Sequence, residues 1–355
     1  MKVIIDPRSS YAYSSFYVWG LKQVFGKTQV SYDFAPFRHL NSVDNDMRFI
    51  VQKADSETKV FIHAHDSYHI LESDYEWCDV YGSVNANYEH YPKLQYPKLV
   101  SLAPSFGIQN ESSLFVVVIL AIWKLFRLWE YEWNRIDYNK YTKQEECNHL
   151  RNIKRYFAKH YKTWKNRLPL SAYNYTIPSE DNYIFFLSTL WYSNEINKND
   201  EGVNLRRAHF IRACKSISNC HFEGGLLGGD DSSNAKFSDV LALHGEPFES
   251  WIGKTKRSTL VFNTPAFHNC HGWKLGEYLA LGKCIISTKL SNDLPYPLEH
   301  GVNIHFVEDT EESMREAIEY ILALPDYRHK LEQGARDYWK KWGTPEASLK
   351  LLGIY

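Results

Sequence analysis

The segment 271–287, HGWKLGEYLALGKCIIS, places one lysine and one glutamate in the first turns of a predicted helix. Gly272 permits a tight turn before this helix, and the unpaired N–H groups of a helix N-terminus favour an anionic ligand such as a diphosphate. Lys274 would add a positive charge, and Glu277, on the same face, could accept hydrogen bonds from a ribose diol. In the alternative interpretation, Glu277 caps its own helix and Lys274 is a solvated surface charge.

A second polar cluster, FIHAHDSYH at 61–69, contains three histidines and one aspartate. His63 and His65 would share one face of an extended segment, as zinc ligands require, with Asp66 or His69 as a third ligand. Three interpretations are open: a metal site, a catalytic or substrate-binding loop, and a hydrogen-bonded structural loop. The cluster follows a predicted parallel strand, and this position at the carboxyl end of the strand favours a functional role.

Two glycine-containing segments look like phosphate-binding loops but lack the required pattern. In GLKQVFGKT, at 20–28, five residues instead of four separate the glycines and the segment follows a helix, so we interpret Gly26 as a helix C-cap. EGGLLGGDDSS, at 223–233, does not match GxGxxG. It is either a flexible turn after a strand or a close approach of the backbone to a ligand.

Short apolar runs that end in polar, Pro or Gly residues predict the strands that position these groups. In the first half we predict strands at 2–6, 29–32, 59–63, 79–83 and 98–102. A long helical region follows, and an aperiodic segment with two prolines at 167–182 then separates it from a second series. The predicted strands of that series are 183–188, a strand that ends in a turn at NCHFEGG, 260–263, 284–287 and 303–309.

This alternation predicts the α/β class, with two Rossmann-like domains in tandem and a ligand cleft at the carboxyl ends of their strands. We assign 1–170 to an N-terminal domain with a helical insertion and 180–325 to a C-terminal domain. The remaining residues, 326–355, form C-terminal helices, which we expect to pack back toward the first domain.

The composition excludes some functions. The chain has 355 residues, and 41 basic and 42 acidic side chains give a net charge of -1, so no global field attracts nucleic acid. Six cysteines are scattered without a CxxC pair, and the N-terminus lacks the apolar segment of a signal peptide. We therefore expect reduced thiols and a cytoplasmic location, either free or at the inner face of a membrane.

The segment 258–287 resembles the nucleotide-sugar site of GT-B fold glycosyltransferases, both the retaining group that includes glycogen and sucrose synthases and the exostosin-like transferases. In the retaining group, a glutamate is followed by seven residues and then by a second glutamate, which begins the run E-A-L-A-x-G-x-P-V-I. EYLALGKCII at 277–286 matches this second half. The resemblance implies that Glu277 binds the ribose. Asn269 stands where that group has its first glutamate, the residue that contacts the donor sugar, so retention or inversion of the anomeric centre stays open.

IHAHD at 62–66 is similar to the HAHD of the amino-terminal domain in the glycogen-synthase-like members, where the histidine approaches the transferred sugar. The resemblance assigns this role to His65. In an inverting reaction a base must deprotonate the acceptor, and His65 or Asp66 is the candidate. In a retaining reaction these groups would position the sugar.

The resemblance implies a hexosyl- or pentosyltransferase that moves a sugar from a nucleoside-diphosphate sugar to a carbohydrate or lipid-linked glycan, in polysaccharide or glycoconjugate synthesis. Basic side chains would neutralise the leaving diphosphate, so we expect no obligatory metal ion or other cofactor. Lys254 is an alternative to Lys256 among these basic groups. The expected donor-binding residues are Asn269, His271, Gly272, Lys274, Glu277, Arg206, Arg207 and Lys256.

The segment 114–133 combines an apolar run with three tryptophans and two basic residues. It is either a buried helix or a membrane-interface helix that brings the enzyme to a lipid-linked acceptor, and its apolar run falls short of the roughly 20 residues that a membrane span needs. Two other functions are compatible with the sequence: another GT-B-fold enzyme such as a nucleotide-sugar epimerase, and a non-catalytic sugar-binding protein.

Overall fold

The computed structural model describes residues 1–41, 45–128, 149–174, 177–191, 202–228 and 231–355, without the side chains of 149–152 and 231–233. The first half of the chain forms a six-stranded sheet with the order β2-β1-β3-β4-β5-β6. Its strands are β1 (Lys2–Ile5), β2 (Val30–Tyr32), β3 (Met47–Gln52), β4 (Glu57–His63), β5 (Val80–Ser83) and β6 (Leu99–Ser101).

β3 is the strand that the sequence analysis missed, and it runs antiparallel to both neighbours, β1 and β4. The other pairs in this sheet are parallel, as expected. Arg48 interrupts the apolar run of β3, and a charged residue in so short a run suggests a surface segment. Here the Arg48 side chain is buried, and its Nε lies 2.6 Å from Oδ1 of Asp74. Because this partner is distant in the sequence, no local pattern could reveal it.

Helices cover the first sheet, and short 3₁₀ turns join the elements. The helices are α1 (Tyr11–Phe25), α2 (Glu72–Trp77), α3 (Leu114–Arg127) and α4 (His149–Lys165). The 3₁₀ turns among the described residues are Lys27–Gln29, Ala35–Phe37, Leu170–Tyr173, Ser238–Val240 and Phe267–Asn269. The long helical region expected before the second half is helical in α3 and α4, and 129–148 lies outside the described residues.

The second half contains two groups of parallel strands, which confirms the α/β class there. β7 (Tyr183–Thr189) pairs with β8 (His221–Leu227), and the second group has the order β11-β10-β9. These three strands are β9 (Val261–Asn263), β10 (Ile285–Ser287) and β11 (His305–Phe306). The helices are α5 (Gly202–Ser216), α6 (Asp231–Lys236), α7 (Phe248–Arg257), α8 (Trp273–Ala280), α9 (Glu311–Ala323), α10 (Pro325–Tyr338) and α11 (Pro345–Leu351), with a π-helical turn at Trp339–Gly343.

Gly224 and Gly225, expected in a turn, lie inside β8 instead. Gly224 has φ +118°, a conformation that side chains rarely adopt, and a Cβ there would collide with the carbonyl oxygen of Phe186. Gly224 therefore lets β8 approach β7 closely, and Gly225 lets it approach the segment 240–242, where a Cβ would lie 2.7 Å from the Val240 carbonyl oxygen.

The C-terminal helices pack back on the first half, as predicted. Pro345 lies directly on α1, where a Cβ added to Gly20 would be 2.9 Å from the Pro345 Cβ. Leu349 and Leu352 share one core with Val3 and Phe16 of the first half. The domain boundaries near 170–180 and 325 stay a prediction. Among the described residues, no helix is both long enough and apolar enough to cross a membrane.

Candidate functional site

A cavity of about 680 Å³ opens at the carboxyl ends of β9, β10 and β11. Pro265 follows β9, Thr288 follows β10 and Val307 follows β11, and all three residues line it. Parallel strands bring their carboxyl ends to the same edge of a sheet, which is the usual ligand position in this fold class. The loop 288–294 and Arg206 of α5 complete much of the wall.

The cavity wall carries charges of both signs. Arg206 donates from Nε to Oγ1 of Thr264 at 2.8 Å, and its Nη1 lies 3.9 Å from Oδ2 of Asp309. These contacts hold the guanidinium at the wall. Lys289 is an exposed residue of the same wall, and Glu308 and Asp293 add two carboxylates to that of Asp309. The wall can therefore bind an anion through its two basic groups and accept hydrogen bonds from hydroxyls through its carboxylates.

Asn269, predicted to contact the donor sugar, lines this cavity. It ends the 3₁₀ turn after β9 with φ 59°, and the preceding His268 has φ 54°. Asparagine tolerates this left-handed conformation better than most residues. The backbone oxygen of Asn269 accepts a hydrogen bond from Nδ2 of Asn292 at 3.2 Å, which ties the turn to the loop that forms the opposite wall.

Asn85, directly after β5, connects the first sheet to this cavity. Its Nδ2 donates to the His65 carbonyl at 3.0 Å, and its Oδ1 accepts the N–H of His271 at 2.7 Å and the Nδ2 of Asn292 at 3.3 Å. Since Asn292 lines the cavity, one side chain links the loop after β4 to the wall. Asn85 was not among the residues predicted from the sequence, although its position after a predicted strand could have identified it.

Asp293, also on the cavity wall, makes further contacts with the first half. Its N–H donates to the carbonyl of Ala86 at 2.8 Å, and its Oδ2 accepts the N–H of Tyr88 at 2.6 Å. Ser101 Oγ donates to the Asp293 carbonyl at 2.9 Å. The carboxyl ends of β5 and β6 are thus bound to the loop that follows β10, so the cavity lies beside the contact between the two halves.

His65 and Asp66, the predicted catalytic pair, lie in the loop after β4. His65 is exposed and Asp66 is partly buried. Burial raises the Asp66 pKa above its ordinary value, and the nearby imidazoles of His65 and His268 oppose this shift. His268 belongs to the second half and precedes Asn269. Asp66 is therefore near enough to this turn for the His268 imidazole to influence its pKa.

Asp46 fixes the start of this loop. Its Oδ1 accepts the N–H of Ala64 at 2.9 Å, and burial raises its pKa to about 7. The neighbouring His63 is buried, its ring lies parallel to that of His65, and burial lowers its pKa to about 3. His63 is therefore neutral at physiological pH. Among the described residues, no group of three or more His, Cys, Asp or Glu side chains could hold a metal ion.

Lys274 and Glu277 lie under the contact between the halves and do not line the cavity. Lys274 donates from Nζ to the Leu187 carbonyl at 2.6 Å, and burial lowers its pKa to about 7. Glu277 is 4% exposed, and burial raises its pKa to about 7 against the opposing charge of Arg167. Tyr173 lies close enough to influence this pKa, although its hydroxyl makes no hydrogen bond of good geometry. Lys274 is therefore not a solvated surface charge, and Glu277 does not cap its own helix, as the alternative interpretation had it.

Helix α8 is covered at its N-terminus by the loop after β6. A Cβ on Gly276 would be well inside van der Waals distance of the Pro104 carbonyl oxygen and 3.1 Å from Cδ1 of Phe106. Gly272 is the N-cap, but its φ of -79° is one that any residue adopts, so the turn does not need glycine. His271 beside it is buried, and burial lowers its pKa to about 4. The close approach that requires glycine in this helix is at Gly276.

The other predicted basic residues lie apart from the cavity. Arg207 is buried behind Arg206, donates from Nη1 to the Thr189 carbonyl at 2.8 Å, and has its pKa lowered to about 10 by burial. Lys256 lies near the amino ends of β9 and β10, on the side away from the cavity. Its carbonyl accepts a hydrogen bond at 2.9 Å from Nζ of Lys283, and Lys283 precedes β10. The structure therefore brings Arg206 and Asn269 to the cavity, and Lys256 does not reach it.

No protein-family model matches the chain, and no curated protein sequence matches it. Solved structures do resemble it. A glycosyltransferase from Rickettsia africae is 12% identical, with a TM-score of 0.37, over 78% of this chain and 89% of the other. Anabaena HepE, in complex with UDP and glucose, is 11% identical, with a TM-score of 0.39, over 77% and 90%. A Listeria monocytogenes protein described as a UDP-N-acetylglucosamine 2-epimerase is 12% identical, with a TM-score of 0.38, over 79% and 68%. At such identities and TM-scores no residue role transfers to the chain, and the assignments rest on its own geometry.

Proposed function

We propose that the chain transfers a sugar from a nucleoside-diphosphate sugar to a hydroxyl group of a carbohydrate or lipid-linked glycan. The observation that carries this proposal is the cavity at the carboxyl ends of β9–β11, which lies next to the polar loop of the first sheet. Its volume of about 680 Å³ suits a ligand of this size, since small-molecule pockets span roughly 300–1,000 Å³. The sheet of β9, β10 and β11 would supply the donor side of the site, and the first sheet would supply the acceptor side.

The donor would occupy the second half. Arg206 and Lys289 are the basic groups that can neutralise the diphosphate as it leaves, which is why we expect no obligatory divalent ion. Glu308, Asp309 and Asp293 are exposed carboxylates of the cavity wall that can accept hydrogen bonds from sugar or ribose hydroxyls. The ribose contact that the sequence predicts for Glu277 would require the halves to separate at α8, because that carboxylate is covered.

The acceptor would approach from the first half. Asp66, whose pKa burial raises, is our candidate for the base that accepts the hydroxyl proton in an inverting reaction, with His65 as its exposed neighbour. In a retaining reaction the same side chains would orient the transferred sugar. Contact between the two loops would keep water away from the reacting carbon.

The test measures nucleotide affinity by calorimetry across UDP, GDP, ADP and their sugar derivatives. Arg206→Ala removes a charged donor from the cavity wall, so we expect the Kd of the preferred nucleotide to rise about tenfold or more. Arg212→Ala is the matched control, since Arg212 lies on the same helix and pairs instead with the exposed Asp239 at 2.6 Å. Equal affinity in both variants, or binding of no nucleotide in the panel, would refute the proposal.

A further inference from the structure

Helix α3 carries an apolar face directed at solvent within the part of the chain that the structure describes. Seven large side chains on this helix are between 39% and 71% exposed. They recur at helical spacing and form one stripe, here named the α3 face. The α3 face consists of Phe115, Val116, Val118, Ile119, Ile122, Trp123 and Phe126.

The opposite side of α3 fixes this orientation. Lys124 is 2% exposed, and its Nζ donates to the Ser9 carbonyl at 3.2 Å in the segment after β1. Val117 and Ala121 are buried on the same side. A helix of a protein core buries its phenylalanines and exposes its lysine, and α3 does the reverse. The apolar residues therefore lie on the side of α3 opposite the Lys124–Ser9 hydrogen bond, which joins the helix to the first half.

Basic side chains accompany the α3 face on α3 itself and on the neighbouring helix, and the Arg127 guanidinium lies over the Trp123 ring, 4.6 Å from its centroid. Helix α4 packs against α3, where Tyr156 Oη donates to the Ala121 carbonyl at 3.2 Å. Neither 113–128 nor 149–165 contains an aspartate or a glutamate. Among the side chains of these two helices that the structure describes, the exposed basic residues are Arg127, Lys154, Arg155, Lys159, Lys162 and Lys165.

We propose that the α3 face docks on an anionic membrane surface. The apolar side chains would enter the boundary between headgroups and acyl chains, and the basic residues would lie beside the lipid phosphates. A two-fold contact with a second copy of the chain would bury the same apolar area but would bring two basic clusters together. An anionic surface neutralises these charges, which favours lipid as the occupant. The inference concerns this surface alone and does not rest on the proposed function.

Flotation of the full chain with vesicles tests the inference. We expect binding to phosphatidylcholine vesicles that contain about 30 mol% phosphatidylglycerol, weaker binding in high salt, and little binding to phosphatidylcholine alone. Combined Phe115→Ser, Ile119→Ser and Phe126→Ser should lower the partition coefficient about tenfold or more. The control Leu94→Ser with Leu243→Ser removes equally apolar side chains that are 98% and 99% exposed elsewhere, and it should bind like the wild type.

A second variant tests the charges. Combined Lys154→Gln, Lys159→Gln and Lys162→Gln should remove most of the preference for anionic over neutral vesicles, a loss of about tenfold or more. Circular dichroism and thermal unfolding should match the wild type, since every substituted side chain is exposed. The inference is overturned if wild-type protein floats with neither vesicle or if the apolar variant floats as well as the wild type. Light scattering that shows a wild-type dimer and a monomeric apolar variant would instead assign the face to a second copy.

Discussion

Gly276→Ala tests whether the second half is docked on the first through helix α8. The added methyl group would stand against the Pro104 carbonyl oxygen and 3.1 Å from Cδ1 of Phe106. The first obstacle is backbone, so relief requires the helix and the loop to move apart. The contact between α8 and the loop after β6 is also tight at the start of the helix, because a Cβ added to Gly107 would lie 3.1 Å from the Trp273 ring.

Two opposing effects set the size of the change. Replacement of glycine by alanine inside a helix stabilises by about 1 kcal/mol through helix propensity. Overpacking of a tight contact costs about 1–3 kcal/mol, and a backbone obstacle places Gly276→Ala near the upper end. The net prediction is a loss of about 1–2 kcal/mol. In Gly253→Ala, on α7, the added Cβ meets nothing within 4 Å, so this control should gain about 0.5–1 kcal/mol.

Urea unfolding followed by circular dichroism measures both variants against the wild type. The expected result is opposite signs, with the two free energies of unfolding separated by about 1.5–3 kcal/mol. Equal stabilisation in both variants would show that α8 does not press on the loop after β6. The burial that we describe for Lys274 and Glu277 would then lose its basis, and Glu277 would again be accessible to a ribose.

Three further predictions concern the site and its supports. Burial raises the Asp46 pKa to about 7, so the folded state holds this proton more tightly than the unfolded state and stability falls as pH rises from about 4 to 7. Asp46→Asn keeps an oxygen for the Ala64 N–H. Between pH 5 and pH 8 the free energy of unfolding should fall less in this variant than in the wild type, and an equal fall would contradict this assignment. Thr310→Ala removes the N-cap that accepts the Ser313 N–H at 3.2 Å, which should cost about 1 kcal/mol in thermal unfolding, and a neutral result would argue against the cap. Asp66→Asn should slow transfer about a hundredfold or more in steady-state kinetics without a change in nucleotide Kd; retained activity would exclude Asp66 as the base.

Local patterns in the sequence located most of the elements. The predicted strands overlap β1, β2, β4, β5 and β6 of the first sheet and all five strands of the second half. Apolar runs with polar ends are a property of neighbouring residues, so spacing suffices to find them. β3 was not predicted because Arg48 interrupts its apolar run, and the buried Arg48 pairs with Asp74, which is distant in the sequence. Gly224 and Gly225 were expected in a turn because the contacts that require glycine, with β7 at Gly224 and with the segment 240–242 at Gly225, join parts of the chain that are distant in sequence.

The sequence by itself determined which chemistry-bearing residues follow which strands: His65 and Asp66 after β4, Asn269 after β9, and Arg206 in the helix after β7. Only the tertiary structure decided which of them share a cavity, because spacing does not encode how two sheets face each other. The loop after β6 covers α8, so Glu277, the strongest match by sequence, lies beneath the contact, whereas Asn85 joins the two sheets. The same holds for α3, whose periodicity alone suits either a buried or an exposed apolar stripe. In the structure Lys124 is buried with Val117 and Ala121 and bonds to Ser9, 115 positions away in the chain, so the apolar stripe lies on the outer side of α3.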